Sequence, residues 1–304
     1  MQVLKIQDLQ NLPEFSGRTS ESSPPFFAVF GKPINHSLSP KMQNAALAEM
    51  AKTDSFYTGS KYFAFEVDPS DLKVAIESLY SKNFVGINLT IPHKEVIMGI
   101  IDDFDPHAKL IGACNTLLRT KNGWKGYNTD GFGLERAVEI GLGRKFENSD
   151  IVIIGAGGAA RAAAFYVSAK NCKSLTLLNR SKERLINLAN DIKDAGFNCN
   201  TYSIAEASDK IPQGSIIINA TPIGLKETDS PVLDFSKISQ DVAFFDMPYS
   251  NTHITSSVQS AKSFGINAID GLGMLAWQGA KSLSIWTNKE MFGELMYRTL
   301  KDNA

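Results

Sequence analysis

The stretch that most constrains this chain is residues 151–158, Ile-Val-Ile-Ile-Gly-Ala-Gly-Gly. A short β-branched apolar run, too short for a helix, predicts a buried strand. The glycines predict a tight turn, and residues 159–170, rich in alanine, predict a helix. Gly155, Gly157 and Ala160 fill the three small positions of the G-x-G-x-x-G/A dinucleotide fingerprint. The first permits the turn, the second lets the backbone approach a pyrophosphate, and the third lets helix and strand pack closely. The helix N-terminus then offers free N–H groups and partial positive charge to phosphate oxygens. A purely structural strand–turn–helix is the alternative; the strand before and the helix after favour a nucleotide site.

The flanking pattern predicts what surrounds that turn. Residues 175–179, 215–220, 242–246 and 266–269 read as further strands and 183–195 as a helix. That alternation is what a doubly wound parallel sheet requires. Upstream, 26–31, 61–67 and 84–90 read as strands. Between them lie a helix from Pro40 to about residue 50 and another from Pro69 to about 81, capped by Asp68. Strand–helix–strand succession argues for βαβ units. Asn122-Gly123 between 114–119 and 124–127 is a hairpin signal, so this half is α/β with an antiparallel piece. Helices over 272–286 and 290–300 follow the apparent completion of the second sheet, which predicts that the chain returns to its first domain. At 304 residues the chain is long enough for two domains. Residues 18–25, rich in Ser and Pro, read as a flexible lead-in.

Composition excludes several classes of partner. A formal net charge of −1 gives no reason to expect nucleic acid or a membrane surface. Cys114, Cys172 and Cys199 form no C-x-x-C pair and suggest reduced thiols in a cytoplasmic protein. His36, His93, His107 and His253 are scattered, so no metal site is expected. No apolar run approaches a membrane span and no signal peptide is evident.

Cofactor choice is read where the second nucleotide strand ends. An NAD-binding domain usually has an acidic residue there. This chain has Asn179-Arg180-Ser181, with Arg184 a turn further on. Arginine can pair with a 2′-phosphate through charge-assisted hydrogen bonds, which favours NADP; ordinary surface arginines are the alternative. Lys94 follows a strand, at the edge where ligands bind in open α/β sheets, although most lysines are simply solvated. Asp130, in Asn128-Thr129-Asp130-Gly131, reads first as a helix cap.

Eight short motifs in order change that balance. Gly31-Lys-Pro-Ile-Asn-His-Ser-Leu-Ser-Pro40 with Asn44, Gly86-Ile-Asn-Leu-Thr-Ile-Pro-His-Lys94, Gly112-Ala-Cys-Asn-Thr116 and Gly126-Tyr-Asn-Thr-Asp130 resemble the first four signatures of the shikimate dehydrogenase family. Gly155-Ala-Gly-Gly-Ala159, Asn179-Arg-Ser-Lys-Glu-Arg184, Asn219-Ala-Thr-Pro222 and Gly271-Leu-Gly-Met-Leu-Ala-Trp-Gln278 complete the set. The resemblance covers about residues 26–300. It departs at Asp246-Met-Pro-Tyr249-Ser-Asn251, where the family usually reads Asp-x-x-Tyr-Asn-Pro, and at Met42, where the family commonly has His.

The resemblance implies a substrate domain over 1–128 and 270–304 and a Rossmann-type dinucleotide-binding domain over 129–269. It implies reduction of 3-dehydroshikimate to shikimate with NADPH, in aromatic amino-acid biosynthesis, by a cytoplasmic monomer or homodimer. Quinate as substrate, or a non-catalytic ligand-sensing regulator of the same fold, are the alternatives. By that resemblance Ser37 and Ser39 hold the substrate carboxylate. Thr90, Asn115, Asp130, Tyr249 and Gln278 hold its hydroxyls and carbonyl. Lys94 is the catalytic residue, with Asp130 beside it. Gly155, Ala156, Gly157, Gly158 and Ala159 hold the pyrophosphate. Asn179, Arg180, Ser181 and Arg184 hold the 2′-phosphate, and Thr221, Met247 and Gly271 line the nicotinamide side.

Overall fold

The computed structural model describes residues 3–8, 23–250 and 252–302. Its strands are β1 (Val3–Leu4), β2 (Phe26–Gly31), β3 (Lys61–Glu66), β4 (Gly86–Leu89), β5 (Asp103–Phe104), β6 (Thr116–Thr120), β7 (Gly123–Tyr127), β8 (Asp150–Ile154), β9 (Ser174–Asn179), β10 (Asn200–Ser203), β11 (Ile216–Asn219), β12 (Ala243–Asp246) and β13 (Asn267–Ile269). The helices are α1 (Ser39–Thr53), α2 (Leu72–Ser81), α3 (His93–Val96), α4 (Pro106–Ile111), α5 (Asp130–Leu142), α6 (Gly158–Ser168), α7 (Lys182–Asp194), α8 (Ala207–Lys210), α9 (Ser256–Ser263), α10 (Leu272–Thr287) and α11 (Gly293–Lys301). None of the described helices is long and apolar enough to cross a membrane.

The chain divides into two units. One runs up to Thr129 and resumes over Gln278–Asp302; the other is Asp130–Trp277. In the first, the strand order is β1-β3-β2-β4-β6-β7-β5. β1, β3, β2 and β4 pair in parallel, while β6 pairs antiparallel with β4 and β7. Every residue of β2 is buried, as expected of a parallel strand covered on both faces. Phe26, Phe30, Phe63, Phe65 and Phe84 meet edge-on across this sheet, the arrangement ring quadrupoles prefer. α1 packs on β3, and α11 packs on α1. Met42 is fully buried on α1, where it meets Gly279 of α10.

Several local features differ from the sequence pattern. Asp68 precedes a 3-10 turn, Pro69–Asp71, but its side chain makes no cap bond and pairs with Lys32 instead. Three short strands, β1, β5 and β10, are additions to the predicted set. β1 adds Val3 and Leu4 beside Ala64 and Phe65, within the N-terminal residues that lie outside the family resemblance. Residues 18–22 of the Ser/Pro-rich lead-in and Asn251 lie outside the described residues.

In the second unit all six strands are parallel, in the order β10-β9-β8-β11-β12-β13. Numbered within the unit, this is 3-2-1-4-5-6, the doubly wound Rossmann order. Its core is a layer of aliphatic and aromatic side chains that includes Val152, Ile154, Ile217 and Phe244. The order reverses between β8 and β11, the place where open sheets of this kind bind ligands.

Candidate active site

β2 and β4 are parallel neighbours, with Phe30 opposite Leu89, so the loops leaving their C-terminal ends run side by side. Thr90 N donates to Phe30 O (2.9 Å) and Lys32 N to Ile91 O (3.1 Å), tying the two loops together. The first carries Ser37, whose Oγ accepts from Ser39 N at 3.3 Å, and Ser39 itself, buried at the start of α1. The second carries Thr90 and leads into α3, where Lys94 is half-buried. Lys94 O accepts from Cys114 N (2.8 Å), which anchors the 112–116 motif beside it. His93, next to Lys94, is fully buried, and burial lowers its pKa, so a neutral ring lies beside the lysine.

Asn115 and Gln278 meet in the same unit. Asn115 Nδ2 donates to Thr129 Oγ1 (2.9 Å) and Gln278 Oε1 (3.3 Å). Asn115 Oδ1 accepts from Thr129 N (2.9 Å) and Thr116 Oγ1 (2.9 Å). Behind them is a buried polar layer that sequence reasoning missed: Tyr62, Asn88, Thr116 and Ser282. Asn88 and Thr116 sit inside quoted motifs, which could have singled them out. Tyr62 on β3 and Ser282 on α10 carry no local signal. A separate cavity of about 680 Å³, lined by Phe27, Tyr57, Tyr80, Arg119 and Trp286 among others, lies at the N-terminal ends of β2 and β4, opposite Ser37, Ser39 and Lys94.

The predicted dinucleotide residues of the second unit lie at or after the C-terminal ends of β8, β9, β11, β12 and β13. Gly155 follows β8 with φ of +123°, and a Cβ there would lie 3.1 Å from Ala220 O and 3.3 Å from Thr221 Cγ2. Gly157, Gly158 and Ala159 expose the head of α6, which is 11 residues long. Ser181 caps α7 by accepting from Arg184 N, and Asn179 Nδ2 donates to Ser181 O (3.1 Å). Arg180 and Arg184 are exposed around this cap. Asp130 is the first residue of α5 and Tyr249 is half-buried, its pKa raised by burial.

Asn219 is another residue that the sequence reading left without a role. Its Oδ1 accepts from Thr221 N (3.0 Å) and Oγ1 (2.7 Å), and its backbone O accepts from Met247 N (3.0 Å). Gly271 N in turn donates to Pro248 O (3.2 Å), and a Cβ on Gly271 would lie 2.0 Å from Met247 O. Thr221, Met247 and Gly271 are therefore held together by backbone contacts and one asparagine. Beneath them Asp246 is fully buried. Burial pushes its carboxyl up to about 6, against the opposing hydrogen bonds from Thr255 and Asn219.

A glycine turn heading a Rossmann-ordered parallel sheet in one unit, and a polar cluster beside a strand-end lysine in the other, are the parts of an α/β nucleotide-dependent oxidoreductase. Three family models match in succession. They are the shikimate dehydrogenase substrate binding domain over residues 29–117, shikimate / quinate 5-dehydrogenase over 137–270, and the shikimate 5'-dehydrogenase C-terminal domain over 271–301. The shikimate dehydrogenase (NADP(+)) of Methanococcoides burtonii is 37% identical over 91% of this chain and 97% of its own. That of Moorella thermoacetica is 38% identical over 90% and 92%. The crystal structure of shikimate 5-dehydrogenase from Thermus thermophilus in complex with NADP(H) and shikimate superposes with a TM-score of 0.79 at 30% identity, covering 92% of this chain and 100% of that one. The chain belongs to the shikimate dehydrogenase family.

Proposed function

We infer that this chain catalyses the reversible reduction of 3-dehydroshikimate to shikimate with NADPH. The observation that carries the reading is the match to relatives named shikimate dehydrogenase (NADP(+)) along nine-tenths of the chain. The cluster of serine, threonine, asparagine and glutamine beyond β2 and β4 supports it, since a polyhydroxylated carboxylate needs many paired donors and acceptors. The unit ending at Thr129 and resuming at Gln278 is the substrate domain in this reading, and Asp130–Trp277 the dinucleotide domain.

The residues suit the cofactor. A Cβ-free turn at Gly155 and the exposed head of α6 fit a pyrophosphate, and the exposed Arg180 and Arg184 fit a 2′-phosphate. Asn219 keeps Thr221 and Met247 in place on the nicotinamide side. When bound, the nicotinamide supplies the hydride. Ser37 and Ser39 hold the substrate carboxylate through their hydroxyls, and Thr90, Asn115, Asp130, Tyr249 and Gln278 hold its ring oxygens. Reduction places negative charge on the ketone oxygen, which the Lys94 ammonium stabilises and protonates. Asp130 accepts from a substrate hydroxyl. The same reading places the enzyme in the cytoplasm as a monomer or homodimer, states that sedimentation velocity separates.

Absorbance of NADPH tests the reaction, first with shikimate and NADP+, then with quinate. Turnover with shikimate is expected, with slower turnover of quinate, whose extra hydroxyl adjoins the carboxylate. Faster turnover of quinate would move the substrate assignment. Shikimate binding without any absorbance change would make the chain a ligand sensor and overturn the reading.

A further inference from the structure

The cavity of about 680 Å³ at the N-terminal ends of β2 and β4 has no part in the proposed reaction. β6 runs antiparallel to β4, so Thr116 at its start belongs to the buried polar layer behind the substrate residues. Arg119 lies at the opposite pole, next to Leu118, the partner of Gly86. α10 makes the same traverse. Its Ser282 accepts from Asn88 Nδ2 (3.0 Å), and Trp286, one turn on, lines the cavity.

The walls are aromatic and held in place. The Phe27 ring stacks on Trp286, with centroids 5.0 Å apart and planes 23° off parallel. Trp286 Nε1 donates to Leu117 O (2.9 Å), and Tyr80 Oη donates to Thr120 O (2.9 Å). Tyr57 is buried, with its hydroxyl bonded to Thr287. Lys289 and Asp54, the charged groups that act on that hydroxyl, pair with each other at 3.2 Å. The lining itself carries charge of one sign. Its charged side chains among the described residues are Arg119 and Lys121, with no carboxylate. The Arg119 guanidinium carbon lies 3.9 Å from the centroid of the Tyr80 ring, and Nη1 donates to Tyr80 O. One ring face and one hydrogen bond therefore fix this cation. A guanidinium has five N–H donors in a planar fork, so donors remain for a carboxylate.

The volume lies in the range of small-molecule sites, which combine apolar walls with a few placed polar groups. Ring walls select a flat ring, and a guanidinium and an ammonium without a carboxylate select an anion. We propose that this cavity is a second ligand site, separate from the substrate residues beyond β2 and β4, and that it takes a planar aromatic carboxylate. The ring lies against Phe27, Tyr57 and Trp286. The carboxylate pairs with Arg119, and Lys121 stands exposed at the rim.

The test is calorimetric titration of the full chain with indole-3-acetate and with its uncharged amide, indole-3-acetamide. One equivalent of the acid is expected to bind per chain with a dissociation constant below about 1 mM, and the amide about tenfold more weakly or worse. Arg119→Gln should weaken binding of the acid about tenfold or more. Lys121→Gln changes only an exposed turn residue and should weaken it about two- to fivefold. Ser37→Ala, at the other pole, should bind the acid as the wild type does. No binding of the acid, equal binding of acid and amide, or full affinity in both cation variants would overturn the proposal. Loss of binding in Ser37→Ala would overturn it as well, by placing the acid at the substrate residues.

Discussion

The two candidate sites of this protein are made from different materials. The dinucleotide end is built from backbone: a glycine at φ of +123°, the exposed first turn of α6 and main-chain bonds such as Gly271 N to Pro248 O. The substrate end is built from interlocked side chains drawn from β3, β4, β6 and α10, with each amide oriented by its neighbour. A backbone site tolerates exchange of its side chains but not the addition of a single carbon. A side-chain site tolerates shifts of backbone but not the loss of one hydroxyl. The first kind binds a group common to many ligands, and the second can read the hydroxyl pattern of one.

The sharpest way to separate the two ends is Lys94→Ala. Turnover is expected to fall by about 10²–10⁴-fold, more than the KM for shikimate rises, as for a group acting mainly in the transition state. Cofactor affinity should be unaltered. An enzyme with normal kcat and only weaker shikimate binding would make Lys94 a binding residue.

Asp246 is a buried carboxyl among the backbone contacts, so it is the place where the comparison is most exposed. Its folded pKa is raised to about 6 from 3.8, so the folded state holds the proton more tightly than the unfolded state. The stability this provides is fully present below pH 4 and lost as pH rises through about 6, to the extent of about 3 kcal/mol. Urea unfolding of wild type and Asp246→Asn from pH 4 to 7 should show that decline in the wild type alone. Parallel pH profiles would show that Asp246 does not titrate in this way.

Adding one carbon at Gly155 tests the backbone end directly. Gly155→Ala forces an L side chain into a positive φ and against Ala220 O, a cost of about 1–3 kcal/mol. Weaker NADPH binding with an unchanged shikimate dissociation constant is expected by calorimetry; unchanged NADPH affinity would break the comparison. The smallest effect is expected from Arg180→Asp, the side chain proposed to read the cofactor's 2′-phosphate. Loss of one charge-assisted hydrogen bond should weaken NADPH about tenfold or more, with little change for NADH. Equal losses for the two cofactors would show that Arg180 does not read the 2′-phosphate.

The same contrast explains what the sequence disclosed. The β8 turn was legible because everything it needs is contiguous: β-branched strand, glycines, alanine-rich helix. The hairpin at Asn122-Gly123 was legible for the same reason, and Gly123 does take a positive φ. Asp68 misled because its local signal, an acidic residue before proline, was overridden by a cation 36 residues away. β1 is a two-residue edge strand that only its pairing with β3 defines. Lys94 and Asp130 could be named only through a family resemblance, since alone each looked like a surface lysine and a cap. Tyr62 and Ser282 stayed hidden because their partners are set by sheet order, which no short window of sequence contains.

That arrangement has a consequence for the order in which the protein is made. Trp286 lies flat against the backbone at Gly86, where even one added carbon would meet its ring, and Ser282 reaches Asn88 across 194 positions of chain. At a synthesis rate of roughly 5–20 residues per second, roughly 10–40 s separate the emergence of those partners. The nucleotide unit is continuous in sequence and can condense during that interval. The unit translated first must wait beside it with the β4 surface uncovered, a nascent-chain state that chaperones can engage, and it is completed only when α10 arrives.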